Sequence, residues 1–175
     1  VDGDTLSSTF EILLDPRSEG TAADRKAQFD FLKSVRDKVD ETHDAIRHMR
    51  AARGQIAALT GRLDTAKHDE VIALGKQLDS TMVAIEEVLY QTKLKSNQDM
   101  LNYPIKLNNK LAHVGSLANM GIYRPTAQMY GVRDAVTAEI DVELGKWYAL
   151  RDVDLPALNA AIRAHEIDMI AVPED

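Results

Sequence analysis

The sequence predicts an all-α protein: an antiparallel up-and-down helical bundle of about four main helices plus a short C-terminal helix, preceded by a short N-terminal β-strand remnant. Three observations lead there. Apolar residues recur every three or four positions over long stretches. Aromatics make up only 5% of the 175 residues while Ala, Leu, Asp and Arg are plentiful, a bias that favours helices over sheets. The loop between the first two long stripes is short, which makes those helices antiparallel neighbours.

Residues 1–17 differ from all that follows. Asp2, Gly3 and Asp4 read as a tight turn. From Leu6 the even positions run Leu6, Ser8, Phe10, Ile12 and Leu14, with polar Ser7, Thr9 and Glu11 between, until Asp15 and Pro16. Period two is the pattern of a half-buried strand. A lone strand can neither pair its backbone groups nor bury its face. Residues 1–17 are therefore expected to be the terminal strand of an upstream β-domain, or else an arm docked on the bundle, and residues 18–175 the bundle domain. A first residue of Val rather than Met fits the expectation of a missing upstream part.

Thr21 is placed to cap the first helix, with Asp24 favouring its positive end. A seam runs through Leu32, Val35, Val39, Thr42, Ile46, Met49, Arg53, Ile56, Thr60 and Leu63. It predicts a helix over 22–64, about 65 Å long, with Gly54 and Gly61 weakening its last turns. After a reversal at residues 64–66, Val71, Leu74, Leu78, Met82, Ile85, Val88 and Leu89 mark a second helix ending near Thr92 or Lys93. Residues 94–104 read as an irregular crossover. Pro104 suits the first turn of a third helix carrying Ile105, Leu107, Leu111, Val114, Leu117 and Ala118. Pro125 opens a fourth, with Met129, Val132, Val136, Ile140, Leu144, Trp147 and Leu150 inward. Asp154 is expected to cap a last helix beginning at Leu155 and Pro156, with Leu158 and Ile162 inward, before a loose or extended tail from Glu166.

The charge narrows the function classes. Acidic residues outnumber basic ones to give a net charge of −7, the wrong sign for a surface that binds nucleic-acid phosphates or an anionic membrane. There is no cysteine, which removes disulfides, thiolate catalysis and Cys-ligated zinc. No apolar run reaches the length of a membrane span.

The chemistry-bearing patterns are sparse. No histidine follows a Glu by three residues, the spacing of di-iron bundles. Asp40 with His43, and Asp44 with His48, come nearest and read as a solvated face. Ser116 and His113 are one helical turn apart but lack an orienting acid and an oxyanion hole. Glu139 and Glu143 read as acidic surface rather than a glycosidase pair. Arg47, Arg50 and Arg53 lie on successive turns and either pair with acids of the next helix or meet an acidic partner. Trp147 reads as core. Tyr90, Tyr103, Tyr123 and Tyr130 can bring hydroxyls to helix ends. No catalytic residue, cofactor or metal site is expected in this segment.

The densest information lies at residues 98–111. Asn is a poor helix former, yet Asn108 and Asn109 fall inside the third helix, with Asn97 and Asn102 before it. Gln98, Asp99, Asn102, Tyr103, Pro104, Lys106, Asn108, Asn109 and Lys110 are read as a structural or interaction motif. The favoured form is a hydrogen-bonded clasp that holds the crossover on the bundle; the other is an amide cluster for a ligand. Together with Leu101, Ile105, Leu107 and Leu111, this stretch resembles a motif near the end of bacterial sortilin-like (BNR-repeat) β-propeller proteins, often labelled glycosyl hydrolases or sialidase-like. Met100 falls where Pro is common there. The flanks, residues 10–17, 90–93 and 154–159, are similar too. The resemblance implies a non-catalytic C-terminal helical module of a larger secreted or periplasmic protein, a scaffold or interaction domain for other domains of the chain or a protein partner. It implies a small β-sandwich closed by residues 1–17. An accessory role in a glycan-degrading enzyme, its active site in the propeller, is the alternative; a ligand- or metal-binding bundle is a further one.

Overall fold

The computed structural model describes residue 3 and residues 5–13, 15–96 and 98–168. Asp2 and Asp4 of the expected turn, Leu14 of the expected strand, Asn97 and the end of the tail, residues 169–175, lie outside the described residues. Within them the chain forms α1 (Ala22–Thr60), α2 (Asp69–Leu89), a one-turn 3-10 helix (Asp99–Leu101), α3 (Leu107–Ala118), α4 (Ala127–Ala149), a π-helical turn (Leu150–Asp154) and α5 (Leu155–Ala164). The all-α bundle stands as the sequence predicts.

α1 starts where the sequence places it. The Thr21 hydroxyl accepts the Asp24 N–H at 3.1 Å and the Asp24 carboxylate accepts the Thr21 N–H at 3.2 Å, a reciprocal pairing that satisfies two otherwise orphaned donors. The helix runs 39 residues, through Gly54, and stops at Gly61, four residues short of the expected end. At 1.5 Å per residue it is about 58 Å long.

The other helices use that length in a particular way. Arg50 meets Glu86 and Arg53 meets Asp79, so α2 runs antiparallel along the C-terminal half of α1. His43 meets Asn108, and Gln28 reaches the Ala118 carbonyl, so α3 also runs antiparallel, along the N-terminal half. α2 and α3 thus lie end to end on α1, joined by the crossover. α4 returns parallel to α1: Arg124 pairs with Asp24, Lys38 with Asp141, and the Tyr148 hydroxyl donates to Glu41. It packs on α3, α1 and α2, while α5 packs on α2.

Between α4 and α5 the chain does not break. Asp154 makes no side-chain cap and keeps helical dihedrals, so the expected cap at Asp154 is not formed. The reason is Pro156. It lacks an N–H and its ring clashes with the preceding turn of a regular helix. The π turn absorbs this: the Leu155 N–H donates to the Leu150 carbonyl, five residues back.

The seam side chains interlock as one core. Phe31, Met49, Val71, Met82, Leu89, Leu111, Ile140 and Leu144 are essentially sealed from solvent, each worth about 1.5–3 kcal/mol of burial. Three sequence expectations shift. α2 ends at Leu89 rather than Thr92 or Lys93, because Tyr90 turns extended. α3 begins at Leu107, leaving Pro104 in the crossover and Ile105 exposed; Lys106, extended, is its boundary. Thr126 rather than Pro125 caps α4, its hydroxyl accepting the Met129 N–H at 3.3 Å.

Residues 5–13 form no strand and touch no sheet; their side chains are exposed. The segment has no backbone partner among the described residues, and it does not dock on the bundle either.

Candidate interaction surfaces

The motif at residues 98–111 divides into parts with different roles. Asp99 organises its own loop: its carboxylate accepts the backbone N–H groups of Lys95 at 2.6 Å and Ser96 at 2.9 Å. Those two bonds, with the Ser96 hydroxyl, hold it below the usual carboxylate range. Gln98, Asn102 and Lys110 are exposed. Tyr103 is partly exposed and lies under the Lys93 ammonium, 5.9 Å from its ring centre. Lys106 and Asn109 are half-buried, and the Asn109 amide has no hydrogen-bond partner among the described residues.

The clasp is therefore made differently from the expectation. Its bolt is Gln91, which the sequence reading passed over. The Gln91 amide is buried and donates to the Pro104 carbonyl at 2.8 Å, closing the crossover on itself. Asn108 is the motif residue that reaches the bundle: it is buried and its Nδ2 lies 3.2 Å from His43 Nε2 on α1. Its Oδ1 is buried without a partner among the described residues.

The arginine row on α1 resolves in favour of the adjacent helix. Arg50 and Arg53 converge on Glu86 of α2, at 2.6 Å and 3.1 Å, and Arg53 also pairs with Asp79 at 2.7 Å. Glu86 is only 3% exposed, and Arg50 also lies over the Tyr90 ring. Arg47 turns outward to Asp44. Glu86 sits four residues after Met82, on the α2 stripe itself. That position was the signal available in the sequence.

The reactive pairs of the sequence do not assemble. His43 faces α3 and Tyr90, while His48 is exposed. Among the described residues no group of three or more His, Asp or Glu side chains is arranged to hold a metal ion. The Ser116 hydroxyl donates to its own helix at Ala112. Glu139 is exposed, whereas Glu143 is buried and paired with Lys146.

Trp147 and several of the tyrosines are engaged within the bundle. Trp147 is buried. Tyr130 stacks edge-on to Phe31 with Arg133 over both rings. The Tyr123 hydroxyl donates to the Leu117 carbonyl. Burial, and the bond to Glu41, push the Tyr148 hydroxyl above its ordinary value.

No protein-family model, no curated protein and no solved structure matches this chain. Its surfaces must therefore be read from their chemistry. Two stand out. One is the exposed arm, residues 5–13. The other is a cleft between α1 and the α4–α5 rod.

No helix among the described residues is long and apolar enough to cross a membrane.

Proposed function

We propose that this chain is a non-catalytic helical module of a larger secreted β-propeller protein, in which it serves as a scaffold or interaction domain. The observation that carries this reading is the arm. Leu6, Phe10, Ile12 and Leu13 are 96, 84, 85 and 78% exposed. Four large apolar side chains on one exposed segment are costly in water, and each gains about 1.5–3 kcal/mol on burial. An extended segment with unpaired backbone and alternating side chains is suited to joining a sheet edge. A β-domain contacting the bundle supplies such an edge.

The root of the arm supports a scaffolding role. Arg25 bonds the Gly20 carbonyl, and Gln28 bonds the carbonyls of Ala118 and Gly121. Gly20 itself lies against Ile122, where an added Cβ would come within 2.9 Å of the Ile122 carbonyl oxygen. The point at which the arm leaves the bundle is thus held by the start of α1 and the α3–α4 loop together. The likeness of residues 98–111 to the sortilin-like proteins supplies the propeller and the secreted setting of this reading.

Hydrogen–deuterium exchange tests it. In this chain the amides of residues 5–13 should exchange at unprotected rates. In the full-length protein they should be protected as strongly as α1. Unprotected exchange there overturns the proposal.

A further inference from the structure

One long cleft runs between α1 on one side and α4, the π turn and α5 on the other. Its two halves share His48, Trp147 and Arg151 but differ in chemistry. The half nearer the start of α1 encloses about 420 Å³ and is lined by Asp37, Asp40, Glu41 and Asp44. The other half encloses about 860 Å³; Ile56, Leu158 and Ile162 line it, with Ala51, Ala52 and Ala58 along its α1 wall, and among the described residues no carboxylate lines it. The reason it is open lies in the packing. α1 and α5 each pack on α2 but barely on one another, leaving a trough along the C-terminal end of the bundle.

We propose that this cleft binds a basic amphipathic helix of a partner protein, its apolar face in the alanine-walled half and Lys or Arg residues at one end over Asp40 and Asp44. Three features of the cleft select that occupant. From His48 to Arg62 the trough is about 21 Å long, room for roughly four helical turns with anchors at i, i+3 or i+4, and i+7. Alanines on the wall let a helix approach to the usual interaxial 8–10 Å or so. Among the described residues the carboxylates are confined to one half, so charge gives the bound helix a direction as well as attraction. Asp40 and Asp44 are exposed and hold only arginines of their own helix, Arg36 and Arg47, pairs that exchange readily with an incoming cation. The inference rests on reading the chain as an interaction module, but it does not depend on the arm, whose exchange test reads other residues.

Binding is read by the fluorescence anisotropy of a dye-labelled probe, because Trp147, on the wall common to both halves, is already buried. The probe is a synthetic helical peptide of about 18 residues with leucines at the anchor positions and a short run of lysines at one end; a matched peptide carries glutamates there. The lysine peptide should bind saturably. Its dissociation constant should rise about tenfold or more with the glutamate peptide, and by a similar factor at high salt. Asp40→Asn with Asp44→Asn should weaken binding about tenfold without changing the helical circular dichroism. Ala51→Glu with Ala58→Glu, both at exposed sites, should abolish it. Because those charges have the sign the peptide seeks, their effect isolates the alanine wall. Absence of saturable binding, equal binding of the two peptides, or binding indifferent to Ala51→Glu and Ala58→Glu each overturns the proposal. Sedimentation showing self-association that Ala51→Glu and Ala58→Glu remove would make a second copy the occupant. Peptide binding seen only after removal of residues 169–175 would make the chain's own end the occupant. Either result refutes the partner helix.

Discussion

Glu86→Ala tests whether the α1–α2 contact is organised around one buried carboxylate. Glu86 accepts from Arg50 at 2.6 Å and from Arg53 at 3.1 Å, and its own side chain is 3% exposed. Hydrogen bonds to charged groups contribute about 1.5–3 kcal/mol each, and breaking a fully buried pair costs about 3–5 kcal/mol. Both figures need discounting here. The Arg50 side chain is 50% exposed and rehydrates when its partner is removed, and Arg53, 30% exposed, keeps Asp79. The expected loss is therefore about 2–3 kcal/mol, most of it through Arg53. For a chain of this size that lowers the melting temperature by roughly 4–12 °C. Urea unfolding followed by circular dichroism at 222 nm measures it. A double-mutant cycle with Arg53→Ala isolates the pair and should return a coupling above about 0.5 kcal/mol. A loss below about 1 kcal/mol with no coupling would refute the reasoning, because a truly enclosed carboxylate cannot be removed so cheaply.

Other expectations follow from the same geometry. Asn109→Leu should change stability by less than about 0.5 kcal/mol, since the Asn109 amide has no partner among the described residues; a loss above about 1 kcal/mol in urea would show that it is paired after all. Gly54→Ala, Gly131→Ala and Gly145→Ala place a methyl where nothing lies within 4 Å, so each should raise stability by about 0.5–1 kcal/mol through helix propensity alone. Gly20→Ala meets the Ile122 carbonyl and should instead lower the melting temperature by a few degrees. Acidification should destabilise the fold in a definite window. Asp24 is held below the usual carboxylate range by the Thr21 hydroxyl and Arg124, Asp37 by Lys33 and Arg36, and Glu41 by Lys38 and the Tyr148 hydroxyl. Lowered folded-state values mean that their contribution is complete above the unfolded values, about 4. It is lost as pH falls below that range through the folded values. Melting temperatures between pH 7 and pH 2 (roughly the range to scan) should be flat first and then fall; a steady decline beginning near neutrality would contradict this.

The helices were legible because burial imposes its period on the sequence. Val35, Thr42, Ile46, Met49 and Ile56 sit in the core as their spacing requires. The start of α1 was legible from Thr21 and Asp24 because both ends of that bond lie within one turn. Phe31 was missed beside Leu32. The stripe of a long straight helix drifts around its axis, and here the face it needs changes from α3 and α4 to α2 along α1. Glu86 and Gln91 were missed because a charge or an amide reads as surface until its partners are known, and those of Glu86 lie 33 and 36 residues away. The π turn was hidden for a related reason. Pro156 announces an interruption, but whether the chain breaks or merely widens a turn is decided by the core that Leu150 and Leu158 enter together. The cleft was invisible in principle. It arises from two helices that each lean on a third, and no one-dimensional pattern records a space between neighbours.

The end-to-end seating of α2 and α3 has a mechanical consequence. Neither short piece continues past the junction between them, but α1 and the α4–α5 rod both do, as splints on a fractured bone. Melting either short piece strips apolar cover from a splint that the other also grips. The two halves should therefore come apart in one event rather than in sequence, despite the gap in the middle member.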